Sequence, residues 1–315
     1  MIIKIKNSAG FKHHRCGWNF CIKILEEFHS NNGILCLTYA DGAIGEGEEI
    51  DEPWIGFFHN TPTHPEYHSY VYPPTPPLNI NGANSPLCKL RTLENFNKSL
   101  EKCKGIFTLC EYTANFMKNK LQIEVPINVL THPIEDVEPK FNYEQFLNNE
   151  FKTAYTIGHW VRNFQSTYDI NCPYTKTIID VKNVLDLIPI VKNDSVQVIK
   201  RLSNPEYDMA LSKNIVFMDL YDAAACNGVI DCIIRNTPLI TRRFQASEEY
   251  LGKDYPLFFD DIKDVNSLFE LEKIKQGHEY LMSLNKLKFT KEKFKDDFLK
   301  SSIIKNLTKK FRLYI

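Results

Sequence analysis

The chain has 315 residues, a length typical of two domains rather than of one core. Hydrophobic residues make up 43% and charged residues 24%, which excludes a disordered or fibrous protein. Thirty-eight Lys and Arg balance 39 Asp and Glu to a net charge of −1, which argues against a general nucleic-acid binder. Any phosphate site must therefore be local.

The nine cysteines are scattered and never form a Cys-x-x-Cys pair. This spacing predicts reduced thiols rather than a disulfide framework or a zinc site. The first residues lack the apolar core of a signal peptide, and no run reaches the ~20 apolar residues that a membrane-spanning helix needs. We therefore expect a cytoplasmic protein.

The first half of the chain alternates strand-like and helix-like segments. Short apolar runs predict strands at 1–6, 33–39, 54–58, 105–109 and 127–130. Apolar residues at helical spacing predict helices at 19–29, 92–102 and 111–120. A Pro-rich stretch over 62–86 predicts a loop, and two Pro-containing dipeptides in 131–139 predict an interdomain linker.

The second half repeats the alternation. Further strands are predicted at 151–157, 176–180, 196–199, 215–218, 238–241 and 257–259, and one long amphipathic helix at 290–311. Alternating units of this kind predict an α/β protein with two Rossmann-like, doubly wound domains that face a cleft. We expect an N-terminal domain over 1–135, a C-terminal domain over 140–285, and a final helical segment over 286–315 that packs back on the N-terminal domain.

The densest polar pattern lies in 214–259, where a loop with Asp222, Asn227 and Gly228 leads to Asp231, seven residues before Pro238. This segment resembles the nucleotide-sugar-binding segment of GT-B glycosyltransferases. A carboxylate at the start of a helix can accept hydrogen bonds from the ribose hydroxyls, and the backbone amides there favour phosphate oxygens. The resemblance implies that Asp231 binds the ribose; the alternative is a helix-terminal carboxylate without a ligand.

Two further features of this segment bear on the resemblance. Many retaining members carry Glu-x7-Glu, whereas Ala223 stands at the first Glu position here with Asp222 beside it. Whether Asp222 takes the place of the first Glu of this motif is open. The segment that begins at Phe244 resembles one that closes the donor site, which implies a donor role for Glu248 and Glu249.

A second pattern surrounds Gly158 at the end of a predicted strand, with Arg162 four residues later and Asn163 next to it. Glycine lets a ligand approach the backbone, and arginine can make charge-assisted contacts to a diphosphate. These residues are candidates for the donor site, with Arg162 also stabilising the leaving diphosphate, and Arg201 is a further candidate at another strand end. An ordinary turn and a solvated surface pair are the alternatives.

Candidates for an acceptor side lie in the first half. A loop with His14, Gly17 and Trp18 follows the first strand, without the Gly-x-Gly-x-x-Gly spacing of a dinucleotide site. A buried strand leads to His59 and Asn60, and Asp41 follows another. We therefore predict His59 and Asp41 as catalytic residues, and His14, Gly17, Trp18 and Asn60 as acceptor-side residues; a structural histidine is the alternative for His59.

The chain contains no His-Glu-x-x-His, Asp-x-Asp, Walker loop or Gly-x-Ser-x-Gly. We therefore expect no metal or other cofactor, and no nucleic-acid partner. The resemblance implies a glycosyltransferase that moves a hexosyl-type sugar from a nucleoside diphosphate sugar to a carbohydrate or lipid-linked acceptor. A sugar-nucleotide epimerase or hydrolase of the same shape and a non-catalytic carbohydrate-binding protein are the alternatives.

The C-terminal segment is strongly basic. Residues 286–315 contain ten Lys or Arg against three acidic residues, a local charge of +7. Such a surface can hold a protein at anionic lipid headgroups. A solvated helix face is the alternative, so peripheral membrane association stays an open expectation.

Overall fold

The computed structural model describes residues 2–6, 17–63, 86–181 and 183–312. These residues form two compact units. One contains the described residues up to Glu135 together with those from Leu287 onward, and the other is Asp136–Lys286.

The first unit is built on five parallel strands in chain order, β1 to β5. The strands are β1 (Ile3–Lys6), β2 (Ile34–Leu37), β3 (Trp54–Phe58), β4 (Cys103–Thr108) and β5 (Ile127–Val129). The helices that alternate with them are α1 (Trp18–Glu26), α2 (Ala40–Gly45), α3 (Pro86–Leu90), α4 (Glu94–Lys102) and α5 (Glu111–Asn119).

Both faces of this sheet are covered, because successive side chains of a strand point to opposite faces. Trp54 and Phe58 of β3 pack into one cluster with buried residues of α2 to α5. Phe57 points to the other face, where it contacts Trp18 of α1 and stacks on Phe107. Phe107 in turn contacts Phe298 of the C-terminal segment. This segment therefore forms part of the first unit.

The second unit contains β6 (Thr153–Thr156), β7 (Thr175–Ile179), β8 (Val196–Ile199), β9 (Ile215–Met218), β10 (Leu239–Arg242) and β11 (Phe258–Phe259). The helices are α6 (Tyr143–Leu147), α7 (Phe164–Asp169), α8 (Asn204–Ser212), α9 (Asn227–Arg235), α10 (Gln245–Leu251) and α11 (Leu271–Ser283). All strand pairs are parallel, in the order β11-β10-β9-β6-β7-β8. The order reverses between β6 and β9, and ligands of such sheets bind at the carboxyl ends of the strands at this reversal.

The predicted α/β architecture and the predicted strands are confirmed, with shifts of a few residues at their ends. Helices α2 and α3 are too short to show helical periodicity and were not predicted. Most of the predicted 62–86 loop, residues 64–85, lies outside the described residues. The eight cysteines in the described ranges are free thiols, and no helix there is long and apolar enough to cross a bilayer.

The prediction of one long helix over 290–311 is wrong in one respect. The structure has two helices, α12 (Lys291–Lys300) and α13 (Ser302–Arg312), which are separated at Ser301. The Ser301 hydroxyl donates to the carbonyl of Phe298 at 2.7 Å and accepts from the amide of Ile304 at 3.2 Å. The same side chain therefore ends one helix and caps the next.

Candidate functional site

The loop that follows β6 has an unusual backbone. Gly158 has φ +75° and Val161 has φ +49°, which is rare for a β-branched residue. The loop is held by an antiparallel bridge: the amide of Asn163 donates to the carbonyl of Asp219 at 2.9 Å, and the amide of Tyr221 donates to Val161 at 3.0 Å. The loop thus lies at the carboxyl ends of β6 and β9, where the strand order reverses.

Arg162 is only 5% exposed and folds back on this loop. Its Nε donates to the carbonyl of Ile157 at 2.9 Å, one terminal nitrogen donates to the carbonyl of Trp160 at 2.8 Å, and the other lies 3.2 Å from the Cys226 sulfur. A Cβ on Gly158 would lie 2.7 Å from the guanidinium. The structure therefore shows Arg162 as a residue that holds the loop against the start of α9.

Asp219, which follows β9, is the centre of a buried ionic cluster. Its side chain is 1% exposed and accepts two hydrogen bonds from Arg242 of β10, at 2.6 and 3.1 Å. Asn163 donates to the same carboxylate at 2.9 Å. The cluster joins the ends of β9 and β10 to the loop after β6.

The first turn of α9 lies against the same strand ends. A Cβ on Gly228 would approach Met218 at 3.1 Å and Arg162 at 3.4 Å, so the helix is as close as glycine allows. Asn227 begins the helix, and the side chain of its N-cap, Cys226, makes no capping hydrogen bond. Asp222 is buried just before this turn and accepts from the amide of Ala223 at 2.8 Å. Amides at a helix start favour anions.

The sequence predicts Asp231 at the start of a helix, and this prediction is wrong. The first turn of α9 contains no acidic residue. The Asp231 carboxylate accepts a 2.6 Å hydrogen bond from Arg235, which is fully buried and also binds Asp208 at 2.7 Å. Tyr207 lies 3.4 Å from the second oxygen of Asp231. Asp231 is therefore part of an ionic network between α8 and α9.

The remaining donor candidates lie on other elements. Arg201 follows β8 and is exposed. Glu248 of α10 pairs with Arg243 at 3.1 Å, and Glu249 on the same helix is half-buried. The structure brings Gly158, Arg162, Asn163, Asp222, Asn227 and Gly228 to the two central strand ends, but not Arg201, whose strand is at the edge of the sheet.

In the first unit, Asp41 and His59 lie at the ends of neighbouring strands. One Asp41 oxygen accepts from the amides of His59 at 2.9 Å and of buried Asn60 at 2.7 Å. The other, Oδ1, is buried and has no hydrogen-bond partner among the described residues. Desolvation raises the pKa of Asp41 to about 6, although backbone amides, including those at the start of α2, favour its charged form.

His59 is held differently from a base poised to accept a proton. Its Nε2 lies 3.0 Å from the carbonyl of Thr38 and donates to it, and its ring packs edge-to-face with Trp18, with the ring centres 4.3 Å apart. Desolvation lowers its pKa to about 3. Gly17 and Trp18 begin α1, whereas His14 lies outside the described residues. Trp18 also contacts His132, which sequence reasoning did not select.

No family model matches the sequence, and no curated protein sequence matches it. Solved structures do match. The structure of HepE from Anabaena in complex with UDP superposes with a TM-score of 0.61 at 9% identity, over 98% of this chain and 100% of that one. The pneumococcal O-GlcNAc transferase GtfA, in complex with UDP and GlcNAc, gives 0.55 at 7% identity over 91% of this chain and 59% of that one.

These neighbours are GT-B glycosyltransferases. The chain has the GT-B fold. Sucrose-phosphate synthase from Thermosynechococcus elongatus agrees, with a TM-score of 0.53 at 10% identity over 95% of this chain and 79% of that one. At such identities the comparison establishes the GT-B fold and not the activity.

Sequence reasoning missed three residues of the second unit: Asp219 and Arg242, which bind each other, and Cys226, which contacts Arg162. A signal was present for the first, because Asp219 follows the apolar run of β9 as Asp41 follows β2. Within the described ranges, no group of three or more His, Cys, Asp or Glu is arranged to hold a metal ion.

Proposed function

We propose that the chain is a glycosyltransferase that moves a sugar from a nucleoside diphosphate sugar to an acceptor hydroxyl. The observation that carries this proposal is the reversal of strand order in the second unit, with the loop after β6 and the start of α9 at that point. The full-length match to HepE, whose structures contain UDP and UDP-glucose, supports a uridine nucleotide as the first donor to test.

In this proposal, the donor diphosphate binds at the two central strand ends of the second unit. The amides of Asn227 and Gly228 at the start of α9, and the glycine backbone at 158, face the negative charge that grows on the leaving diphosphate. Arg162 adds a fixed positive charge beside them. No metal or other cofactor takes part.

The acceptor hydroxyl binds to the first unit in this proposal, and Asp41 accepts its proton. Of the two catalytic candidates, Asp41 fits better: its pKa of about 6 suits a base near neutral pH, and none of the described residues hydrogen-bonds to its Oδ1. His59 is the weaker base and donates to Thr38. Asn60, whose amide donates to Asp41, and Trp18, whose ring contacts His59, are acceptor-side residues in this proposal.

The first experiment is a thermal-shift titration with UDP, GDP, CMP and dTDP and their sugars. A ligand at 100 times its Kd stabilises the native state by about 2.7 kcal/mol. We expect a uridine nucleotide to raise the Tm, and Asn227→Pro, which removes the backbone amide but is tolerated at the first position of a helix, to weaken its binding. Asn204→Pro is the matched control, because Asn204 begins the equally long helix α8 of the same unit. Absence of a shift with every nucleotide would contradict the proposal.

Product analysis then separates the alternatives. With UDP-glucose and a panel of sugar acceptors, we expect UDP release that depends on the acceptor. Release of free glucose or of an epimer without acceptor dependence would instead indicate the hydrolase or epimerase, and carbohydrate binding without nucleotide binding would indicate a non-catalytic protein.

A further inference from the structure

One helix of the second unit, α7, lacks the side-chain cap that its sequence predicts. Asn163 is the N-cap residue of α7, and asparagine is among the best residues for capping a helix. Its side chain makes no capping hydrogen bond. Instead it donates to Asp219 at 2.9 Å and accepts from the hydroxyl of Tyr221 at 3.1 Å.

The partner of Asn163 is itself held firmly. Asp219 is almost fully buried and, besides the hydrogen bond from Asn163, accepts two hydrogen bonds from Arg242. Arg242 in turn donates to the carbonyl of Asp260 at 2.9 Å and lies over the ring of Phe259, 5.0 Å from its centre. A chain of contacts thus runs from the strand ends of β10 and β11 to the loop after β6.

This loop is the part of the unit that needs such support. Val161, 3% exposed, has φ +49°, in the left-handed region that is strained for a β-branched residue. Strain of this kind persists only where the surrounding structure maintains it, and it is concentrated at binding sites. The bridge between the loop and residues 219–221 and the Asn163–Asp219 contact maintain it here.

We infer that Asn163 and Asp219 are positioning residues that, with Arg242, hold the 158–163 loop in its strained form for the donor diphosphate. The inference rests on the proposed function. Asn163 does not cap α7, and its side chain instead fixes the loop through Asp219. None of these three side chains needs to contact the donor for this role.

The test is Asn163→Ser, because serine caps helices well but is too short to reproduce the contact to Asp219. Asn142→Ser is the matched control: Asn142 is the N-cap of α6 in the same unit, and its side chain accepts from the amide of Gln145. Hydrogen–deuterium exchange measures the amides of Asn163 and Tyr221, which form the bridge, and UDP-glucose kinetics give kcat and KM separately.

We expect both variants to fold with similar stability, because serine can cap either helix. In Asn163→Ser, exchange at the two bridge amides rises, and kcat falls by at least about tenfold with a smaller change in KM, since misplaced groups act mainly on the charge that develops in the reaction. Asn142→Ser leaves exchange and kinetics unchanged. Asp219→Asn, which removes the charge with little change in shape, gives the same pattern as Asn163→Ser.

Two results would overturn the inference while leaving the proposed function intact: unchanged exchange at both amides in Asn163→Ser, or faster exchange with wild-type kcat and KM. If the wild-type protein binds no nucleotide at all, the proposed function fails and the inferred role in donor binding fails with it. Exchange in the wild-type protein then still reports whether the loop is ordered.

Discussion

Burial moves the pKa of three side chains at the strand ends of the first unit. Desolvation lowers the pKa of His59 to about 3 and that of His132 to about 4, and it raises that of Asp41 to about 6. The histidines are neutral in the folded protein and become protonated near pH 6.5 only when it unfolds. Their contribution to stability is therefore present above pH 6.5 and is lost as the pH falls. Asp41 acts in the opposite direction, because its pKa is higher in the folded than in the unfolded protein, so its protonation below about pH 6 stabilises the fold.

These opposite signs lead to a pH prediction. Between pH 7.5 and 5.5, each histidine lowers the free energy of unfolding by about 1 kcal/mol, whereas protonation of Asp41 raises it by about 1 kcal/mol. We expect His59→Gln to lose less stability over this interval than the wild type, and Asp41→Asn to lose more. Urea denaturation at the two pH values measures both. Equal losses in all three proteins would show that neither group is shifted.

A second prediction concerns Asp231. Alanine at this position leaves fully buried Arg235 with Asp208 as its remaining carboxylate partner, so we expect Asp231→Ala to lower the free energy of unfolding by about 1–3 kcal/mol. The resemblance alone predicted a ribose contact with the fold unaffected. Urea midpoints, together with UDP affinity in the folded variant, distinguish the two. Wild-type stability with weak UDP binding would restore the ribose role.

At the scale of the structural element, the loop after β6 requires glycine at position 158 for two reasons. The φ of +75° disfavours a side chain at 158, and a Cβ there would clash with the guanidinium of Arg162 at 2.7 Å. Gly47 has φ +106°, but a Cβ on Gly47 would meet no atom of the described residues within 4 Å. Gly47 therefore shares the backbone demand without the clash.

We therefore expect Gly158→Ala to destabilise the protein by more than the ~1–2 kcal/mol that positive φ alone costs, and to weaken UDP binding because Arg162 must move. Gly47→Ala is the matched control and should cost only the backbone strain. Denaturation and nucleotide titration of both variants provide the comparison. Equal stability losses and equal UDP affinities would mean that the contact between Gly158 and Arg162 has no consequence.

At the scale of the whole molecule, lysines of the basic C-terminal segment are paired with carboxylates of the segment itself and of α1. All four lysines of α12 form ion pairs: Lys291 and Lys295 with Glu27 of α1, Lys293 with Asp297, and Lys300 with Asp296. The apolar side of the segment packs on the first sheet, where a Cβ on Gly105 would lie 2.5 Å from Ile303.

For this reason we expect little binding of the protein to anionic vesicles at physiological salt, where exposed charges are screened beyond about 8 Å. Co-sedimentation with phosphatidylserine-containing liposomes at low and physiological salt measures this, with neutral liposomes as the control. Strong, salt-sensitive binding to the anionic vesicles would instead support association with a membrane surface and a lipid-linked acceptor.

The sequence by itself determined the α/β class and the eleven strands of the described residues, because apolar runs and helical spacing are local properties of the chain. It also placed Gly158 at the end of a strand and Asn227 in the loop that leads to α9, which are both parts of the proposed donor site. Short helices such as α2 carry too few turns to be recognised in this way.

Only the tertiary structure decided which side chains meet. The resemblance implies that Asp231 binds ribose, but its carboxylate accepts a hydrogen bond from buried Arg235, one turn later in α9. Arg162 donates hydrogen bonds to carbonyls of its own loop. Asp219 and Arg242 are 23 residues apart and become partners because β9 and β10 are neighbours in the sheet. Such ion pairs depend on strand order and burial, which involve residues distant along the chain, and a local sequence pattern therefore cannot predict them.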